Sequence, residues 1–222
     1  MLIPRPSDNR SVPPQFDEAF RHDLMQLFRW RRDVRSFLAA PIPAETVTGL
    51  IELACLAPSV GYSQPWRFVK VDDARRREAV LQNFAECNEE ALHDYSGSQA
   101  ELYASLKLAG LAEAPVHLAV FVDRTTVAGS GLGRKTMHSA LDHSVVMAIH
   151  TLWLAARASG IGVGWVSILD APKVERILDV PEGWSLIAYL CLGYPVEEQI
   201  TPELERRGWE RRADTGSLIL QR

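Results

Sequence analysis

Apolar side chains follow two different periods along this chain. Spacings of three and four residues predict amphipathic helices, which we place at residues 16–30, 43–57, 74–91 and 138–159. Short runs rich in β-branched and aromatic residues predict strands, which we place at residues 67–71, 116–123, 161–169 and 185–195. Strands and helices intermixed in this way predict an α+β or α/β fold in one domain, residues 1–222.

The helix predicted at 138–159 is unusually apolar. From Val145 to Ala156, 10 of 12 residues are apolar, which leaves almost no polar face. We therefore expect this helix in a core or against another subunit. The apolar block contains His150 and Thr151 and is too short to span a bilayer.

Three segments have weaker patterns. Residues 1–15 contain four prolines and predict an irregular N-terminal arm. Residues 88–112 form an interrupted helical stretch, split by the sequence YSGSQ. After Tyr194 the chain is polar and without a clear period for 28 residues, so we expect residues 195–222 to form an arm that is loose or wraps another surface.

Composition narrows the class of protein. The chain has 222 residues and a net charge of −4, and no basic face is interleaved with aromatic residues, which disfavours nucleic-acid binding. Three well-separated cysteines argue against a disulfide framework. The first residues have no apolar core and so do not resemble a signal peptide. We expect a reducing, cytoplasmic compartment.

Several familiar motifs fail on spacing. In GSGLGRKT, residues 129–136, an arginine separates the last glycine from the lysine, so a flexible surface loop is favoured over a phosphate loop. The sequence GIGVGW, residues 160–165, lacks the third glycine of a dinucleotide fingerprint. Histidines 138, 143 and 150 have no metal-ligand spacing, and we predict no metal site. No G-x-S-x-G motif for a hydrolase occurs.

Two segments are more specific. The loop APSVGYSQPWRF, residues 57–68, gathers small hydrogen-bonding groups before a tryptophan that we expect in the core. The segment RWRRDVRSF, residues 29–37, places Asp33 among four arginines. A solvated charged surface is the alternative for this cluster, but arginines at such spacing can also hold a phosphate.

Together these segments resemble the nitroreductase-like flavoprotein family. Residues 31–35 match its N-terminal arginine segment, residues 58–66 match its P-S-x-x-N-x-Q-P-W loop, and residues 160–167 match its late glycine-rich strand. The resemblance implies an α+β fold with a mixed central sheet flanked by helices. It also implies a domain-swapped homodimer with FMN at the interface and a C-terminal arm that wraps the partner.

Departures from the family pattern point to one branch. Asp33 stands where other members have Ser or Thr, and GWVSILD, residues 164–170, stands where many reductases have a Pro-Ile/Val-Glu-Gly segment. Tyr62 replaces the expected Asn. The chain is similar to the branch that consumes reduced FMN as a substrate with dioxygen. There a ribityl carbon becomes C2 of a benzimidazole and erythrose 4-phosphate is released.

The resemblance also implies roles for particular residues. Asp33 is expected to act as a general base that its flanking guanidiniums keep ionised, and Ser167 to donate a hydrogen bond near flavin N5. The alternatives are that Asp33 only orients Arg35 and that Ser167 only completes a strand edge. The residues expected to bind the flavin are Arg31, Arg32, Arg35, Ser59, Ser63, Gln64, Gly164 and Arg206, the last of which could equally be solvated.

Residues 88–112 are expected to form a lid over the flavin, with Tyr95, Tyr103 and Lys107 as candidate contacts. A sealed ring would leave no room for nicotinamide, so a separate flavin reductase, using NAD(P)H, would supply reduced FMN. Two other functions compete with this hypothesis: an ordinary NAD(P)H-dependent nitroreductase or flavin reductase, and a non-catalytic flavin carrier.

Overall fold

The computed structural model describes residues 13–222. Most of the predicted N-terminal arm, residues 1–12, lies outside the described residues, and residues 13–17 have no regular secondary structure. Within the described chain the helices are α1 Glu18–Trp30, α2 Ala44–Ala54, α3 Ala74–Leu92, α4 Gly97–Ser105, α5 Ala140–Ala158, α6 Ala171–Leu178 and α7 Glu203–Arg206. The strands are β1 Trp66–Lys70, β2 Val116–Asp123, β3 Gly162–Val166 and β4 Trp184–Gly193.

Three helices begin at an aspartate whose side chain accepts a hydrogen bond from the first turn. Asp17 accepts from Phe20 N, Asp73 from Arg76 N and Asp170 from Lys173 N. Such caps satisfy backbone donors that have no partner inside the helix.

The four strands form one sheet in the order β1-β2-β4-β3, and all three pairings are antiparallel. The prediction of a mixed sheet is therefore wrong for the described strands. One isolated parallel bridge joins Asp33, which belongs to no strand, to Val163 of β3. Asp33 and Val34 lie along the open edge of β3, whereas residues 36–38 pair with residues 194–196 just after β4. This placement brings the arginine segment to the glycine-rich strand.

Helices cover both faces of the sheet. On one, which we call the α5 face, α2 and α5 pack apolar side chains against Leu118, Leu190 and Val163. On the other, the α3 face, α3, α6 and residues 109–114 pack against Phe121, Tyr189 and their neighbours. The prediction that α5 would be buried is confirmed on its sheet side, whereas Val146 and Met147 on its opposite side are exposed.

The structure corrects several predicted boundaries. The second helix ends at Ala54 instead of residue 57, because its last carbonyls are already capped by turn hydrogen bonds from Cys55 and Leu56. The strand predicted at 161–169 ends at Val166, where pairing with β4 stops. In the interrupted stretch only α4 and the end of α3 are helical, and residues 106–112 are irregular. Among the described helices, none has both the length and the apolar character needed to cross a bilayer.

Candidate active site

The arginine segment is fixed to the edge of β3 through backbone contacts. Val34 N donates to Val163 O over 3.0 Å. A Cβ added at Gly164 would lie 2.2 Å from Val34 O, and one at Gly162 would lie 2.8 Å from the Val34 side chain. Glycine is therefore required on β3 where this second backbone approaches closely. This gives Gly164 a packing role, and its contact with a flavin stays a prediction.

Asp33 has a hydrogen-bond partner for each carboxylate oxygen. Oδ1 accepts from the backbone N–H of Trp165 over 2.9 Å, and Oδ2 accepts from Nε of Arg35 over 2.7 Å. The Asp33 side chain is 31% exposed. The carboxylate is therefore held in one orientation at the strand edge and still reaches solvent.

On the side facing the protein interior, Asp33 lies near a buried cysteine. The Cys191 thiol, in β4, is fully buried. Its burial, with the nearby charge of Asp33 as a second cause, raises the pKa of Cys191 to about 12. This thiol is consequently neutral at physiological pH.

The three arginines expected to bind the flavin, Arg31, Arg32 and Arg35, have different partners. Arg35 also donates from Nη1 to the carbonyl oxygen of Lys107 over 3.1 Å, which ties the cluster to the end of the predicted lid. The guanidinium of Arg31 lies 4.9 Å from the centre of the Trp153 ring, within range of a cation–π interaction. Arg32 donates to the carbonyl oxygen of Ile200 in the C-terminal arm.

Arg32 is also electrostatically unusual. Partial burial, and then the neighbouring Arg31 guanidinium, lower the pKa of Arg32 from its usual value. Clustered cations of this kind are stabilised by an anion placed between them. The indole Nε1 of Trp153 donates to the carbonyl oxygen of Arg32 over 3.1 Å. The sequence analysis did not identify Trp153 as a site residue. The feature that could have revealed it is an aromatic side chain with a hydrogen-bond donor inside an otherwise apolar helix.

The loop between α2 and β1 is tightly turned. Gly61, Tyr62 and Gln64 all have positive φ, and Ser59 Oγ accepts from Gln64 N over 3.1 Å. Ser63 is buried, yet its hydroxyl has no hydrogen-bond partner within residues 13–222. The prediction that Trp66 belongs to the core is confirmed, since it is 5% exposed.

The glycine-rich loop at 125–136 packs against this turn instead of being free. A Cβ at Gly129 would lie 2.3 Å from Gly61 O, and one at Gly133 would lie 2.7 Å from Val60 Cγ2. The prediction of a surface loop holds, but its glycines are explained by backbone contact between two loops. Nothing in its geometry resembles a phosphate loop opening a helix.

The structure brings some predicted site residues together and separates others. The arginine cluster lies beside Trp153 near the end of α5, whereas Val60 N in the loop binds Ser144 Oγ near its beginning. Those two helix positions are about 13 Å apart along the axis at 1.5 Å per residue. Within one chain, residues 58–64 and 31–35 therefore form two separate groups.

Ser167 and Arg206 stand apart from the cluster's hydrogen bonds. Ser167 follows β3 directly and is exposed. Arg206 donates to Glu197 over 3.0 Å within the C-terminal arm. The same arm places Trp209 5.5 Å, centre to centre, from Tyr95, which stacks on Tyr103 at 4.7 Å. The arm therefore connects Arg32 with the aromatic residues of the predicted lid.

A metal centre is not part of this arrangement. Among the described residues, His, Cys, Asp and Glu nowhere gather in a group of three or more that could hold a metal ion. The site instead offers fixed guanidiniums, one oriented carboxylate and buried or exposed hydroxyls, which suit an anionic organic ligand.

Comparison with known proteins assigns the family. The model of the Nitroreductase family matches residues 28–194, which include both the arginine segment and the glycine-rich strand. The chain belongs to the Nitroreductase family. Within it, the chain is 56% identical over 199 residues to a 5,6-dimethylbenzimidazole synthase from Rhodospirillum rubrum, covering 90% of this chain and 94% of that protein.

Another relative and one solved structure are also similar to this chain. A 5,6-dimethylbenzimidazole synthase from Rhodobacter capsulatus is 46% identical over 200 residues, covering 90% of this chain and 97% of that protein. The crystal structure of an oxidised iodotyrosine deiodinase, bound to FMN and 3-iodo-L-tyrosine, superposes with a TM-score of 0.66 at 25% identity. That superposition covers 79% of this chain and 91% of the deiodinase.

Proposed function

We propose that this protein is a 5,6-dimethylbenzimidazole synthase. Its substrates are reduced FMN and dioxygen, and its products include 5,6-dimethylbenzimidazole, the lower ligand of cobalamin, and erythrose 4-phosphate. The observation that carries the proposal is the 56% identity, over 90% of the chain, with a relative of that name. An identity this high over nine-tenths of the chain favours a shared reaction over a shared fold alone.

The residues of the site fit a flavin mononucleotide. Arg31, Arg32 and Arg35 would hold the phosphate and the N1/O2 side of the ring, since guanidiniums form strong, directional hydrogen bonds with such groups. Ser63 Oγ, buried without a partner, is a donor that a ligand would satisfy. Ser59 and Gln64 would contribute from the same loop. Arg206 would reach the phosphate only by leaving Glu197.

Reduced FMN supplies the ring that reacts with dioxygen and the ribityl carbon that becomes part of the product. In this proposal Asp33 accepts protons at its exposed carboxylate, and Ser167 donates a hydrogen bond from its hydroxyl near N5. The Trp165 N–H and the Arg35 guanidinium fix Asp33 so that it meets the ligand in one orientation. A base already oriented in this way needs little reorganisation during proton transfer.

The active form is proposed to be a homodimer. Phe20 and Phe28 of α1 and Val146 and Met147 of α5 are all between 40% and 50% exposed, more apolar surface than one chain ordinarily leaves open. A second copy would cover these side chains. It would also bring the loop at 58–64 of one copy to the arginine cluster of the other, which a single chain keeps apart.

The segment 88–112 is proposed as the lid. Its end is already joined to the cluster, because Lys107 O accepts from Arg35, and Tyr95 and Tyr103 form its aromatic contact with the arm. A closed lid excludes water from the reaction and leaves no space for a nicotinamide. We therefore expect NAD(P)H to act only through a separate flavin reductase.

The test mixes purified protein with chemically reduced FMN in air and measures 5,6-dimethylbenzimidazole by mass. Asp33→Asn is measured beside the wild type, because the amide oxygen can still accept from Trp165 N–H while the base is lost. We expect product from the wild type and about a hundredfold less from the variant, the range for loss of a general base. FMN binding, followed by flavin fluorescence, should be retained.

Asp142→Asn is the matched control, since it removes one carboxylate charge from an ion pair with Arg124 near the beginning of α5, about three turns away from Trp153. It should form product at the wild-type rate. Intact FMN together with direct NAD(P)H consumption by the wild type would show a nitroreductase. Intact FMN with no consumption of NAD(P)H would show a flavin carrier.

A further inference from the structure

Asn83, in the middle of α3, is a buried polar residue that the proposed mechanism does not use. It is 1% exposed. Its Oδ1 accepts from the backbone N–H of Asp170 over 3.1 Å. Its Nδ2 is buried and has no acceptor within the described chain. An unpaired buried donor is destabilising, so an apolar residue would suit this core position better unless the amide has another role.

The hydrogen bond of Asn83 reaches the segment that carries Ser167. Strand β3 ends at Val166, which pairs with Tyr189 of β4, and α6 begins after its cap, Asp170. Only residues 167–169 lie between these two fixed points. Within residues 13–222, no other side chain forms a hydrogen bond with residues 167–170 from outside α6.

The amide of Asn83 is thus the anchor for one end of a three-residue bridge. The other end is anchored by the β4 ladder and, one residue earlier, by the bond from Trp165 N–H to Asp33. Ser167 is therefore positioned relative to Asp33 by two connections, one through β3 and one through Asn83. Without the Asn83 bond, the residue that ends this bridge loses its one side-chain hydrogen bond from outside α6 within the described chain, and the bridge is held less tightly.

We propose that Asn83 is a positioning residue for Ser167, which it holds in place through the Asp170 amide; this inference rests on the proposed function. The same helix offers a natural comparison. One turn later, Glu86 pairs with Lys173 Nζ over 2.5 Å, an exposed contact between α3 and α6 that does not touch residues 167–170. Losing that ion pair weakens the helix contact without freeing the bridge.

If Ser167 is displaced, a smaller fraction of reduced FMN should become 5,6-dimethylbenzimidazole, and a larger fraction should be reoxidised to intact FMN. Without protein control, reduced FMN passes two electrons and two protons to dioxygen and gives intact FMN and hydrogen peroxide. Product formation requires correctly placed groups, and misplacement by about 1 Å can cost a hundredfold in rate. The fraction of reduced FMN that becomes 5,6-dimethylbenzimidazole therefore reports the position of Ser167. A variant that is merely less stable lowers the amount of active protein but not this fraction per bound flavin.

The experiment compares wild type, Asn83→Leu and Glu86→Gln, each saturated with photochemically reduced FMN and mixed with air. Leucine has the same branched arrangement of side-chain heavy atoms as asparagine, although it is bulkier, and it cannot accept from Asp170 N–H. We expect the product fraction to fall about tenfold in Asn83→Leu and to stay at the wild-type value in Glu86→Gln. Affinity for oxidised FMN should be unchanged in both. Amide hydrogen exchange in residues 167–170, measured by mass, should quicken only in Asn83→Leu.

A wild-type product fraction in folded Asn83→Leu would overturn the inference. If that variant does not fold, Asp170→Pro and Asp170→Ala replace it. Both lose the helix cap, but only proline also removes the backbone N–H, and the φ of −75° at Asp170 accommodates proline. A lower product fraction in the proline variant than in the alanine variant supports the inference, and equal fractions overturn it. No product from the wild type would instead overturn the proposed function, and the inference would fall with it.

Discussion

The two faces of the sheet are built from different chemistry. On the α5 face the buried cluster consists of apolar side chains, with Leu152 and Ile149 of α5 fully buried against the strands. On the α3 face the cluster surrounds polar groups, among them His117, Asn83 and Cys191, each at most 2% exposed. The α5 face contributes stability mainly through apolar burial, with the Ser144 hydroxyl, which accepts from Val60 N, as a buried polar exception. The α3 face tolerates costly polar groups, and every one of them lies near the segments that carry Asp33 or Ser167.

Reducing the volume of a buried side chain on the α5 face should lower the free energy of unfolding without changing the catalytic reaction. Leu152→Ala removes a fully buried side chain and should lower the free energy of unfolding by about 3 kcal/mol, within the range for Leu to Ala in a core. Urea unfolding measures the change. Leu154→Ala, on the same helix but only partly buried, is the control and should cost clearly less. Product formed per folded molecule should be unchanged in both, and a selective loss of turnover in Leu152→Ala would contradict the division between the faces.

The α3 face should be sensitive to acid. Burial, followed by the charge of Arg77, lowers the pKa of His117 from 6.5 to about 4. Between these two pH values the unfolded chain binds a proton at His117 that the folded chain does not bind. The free energy of unfolding therefore falls as the pH drops from 6.5 towards 4, and below pH 4 the loss due to His117 is complete. The shift corresponds to about 3 kcal/mol at 1.36 kcal/mol per pH unit.

Urea midpoints of wild type and His117→Gln at several pH values would test this dependence. The difference in stability between the two proteins should change most between pH 6.5 and 4, since other acid-sensitive groups are common to both. A difference that is constant across this range would show that His117 is not the group responsible. Thermal unfolding at the same pH values gives an independent check.

Sequence reasoning succeeded where the signal was local and periodic. The bounds of β2 were predicted to the residue, and α5 and β4 to within two residues at each end. The arginine segment and the loop at 58–66 were recognised because their residue types are unusual at that spacing. Each of these two segments is a short continuous stretch of sequence, so its residue types and spacing can be read without knowing the fold.

What the sequence could not reveal are contacts between residues distant in the chain. The bond between Asp33 and Trp165 N–H spans 132 positions, and the bond between Arg32 and Ile200 O spans 168. In both bonds the distant partner, Trp165 or Ile200, contributes only a backbone group, so its residue type does not mark it. Asn83 was missed for the same reason. Its partner is a backbone amide, and an asparagine inside a helix normally suggests a solvated position.

The smallest expected effect isolates one polar contact on the α3 face. Tyr189 OH lies 2.9 Å from Nδ1 of His117, and Tyr189 is fully buried. Tyr189→Phe keeps the ring and leaves the imidazole without this partner, which should cost about 1–2 kcal/mol of unfolding free energy, as for an unsatisfied buried group. Because the α5 face does not contact the hydroxyl, Leu152→Ala combined with Tyr189→Phe should give the sum of the two separate losses. If the loss of unfolding free energy in the double variant differs clearly from that sum, the two faces are coupled through the sheet and do not contribute to stability independently.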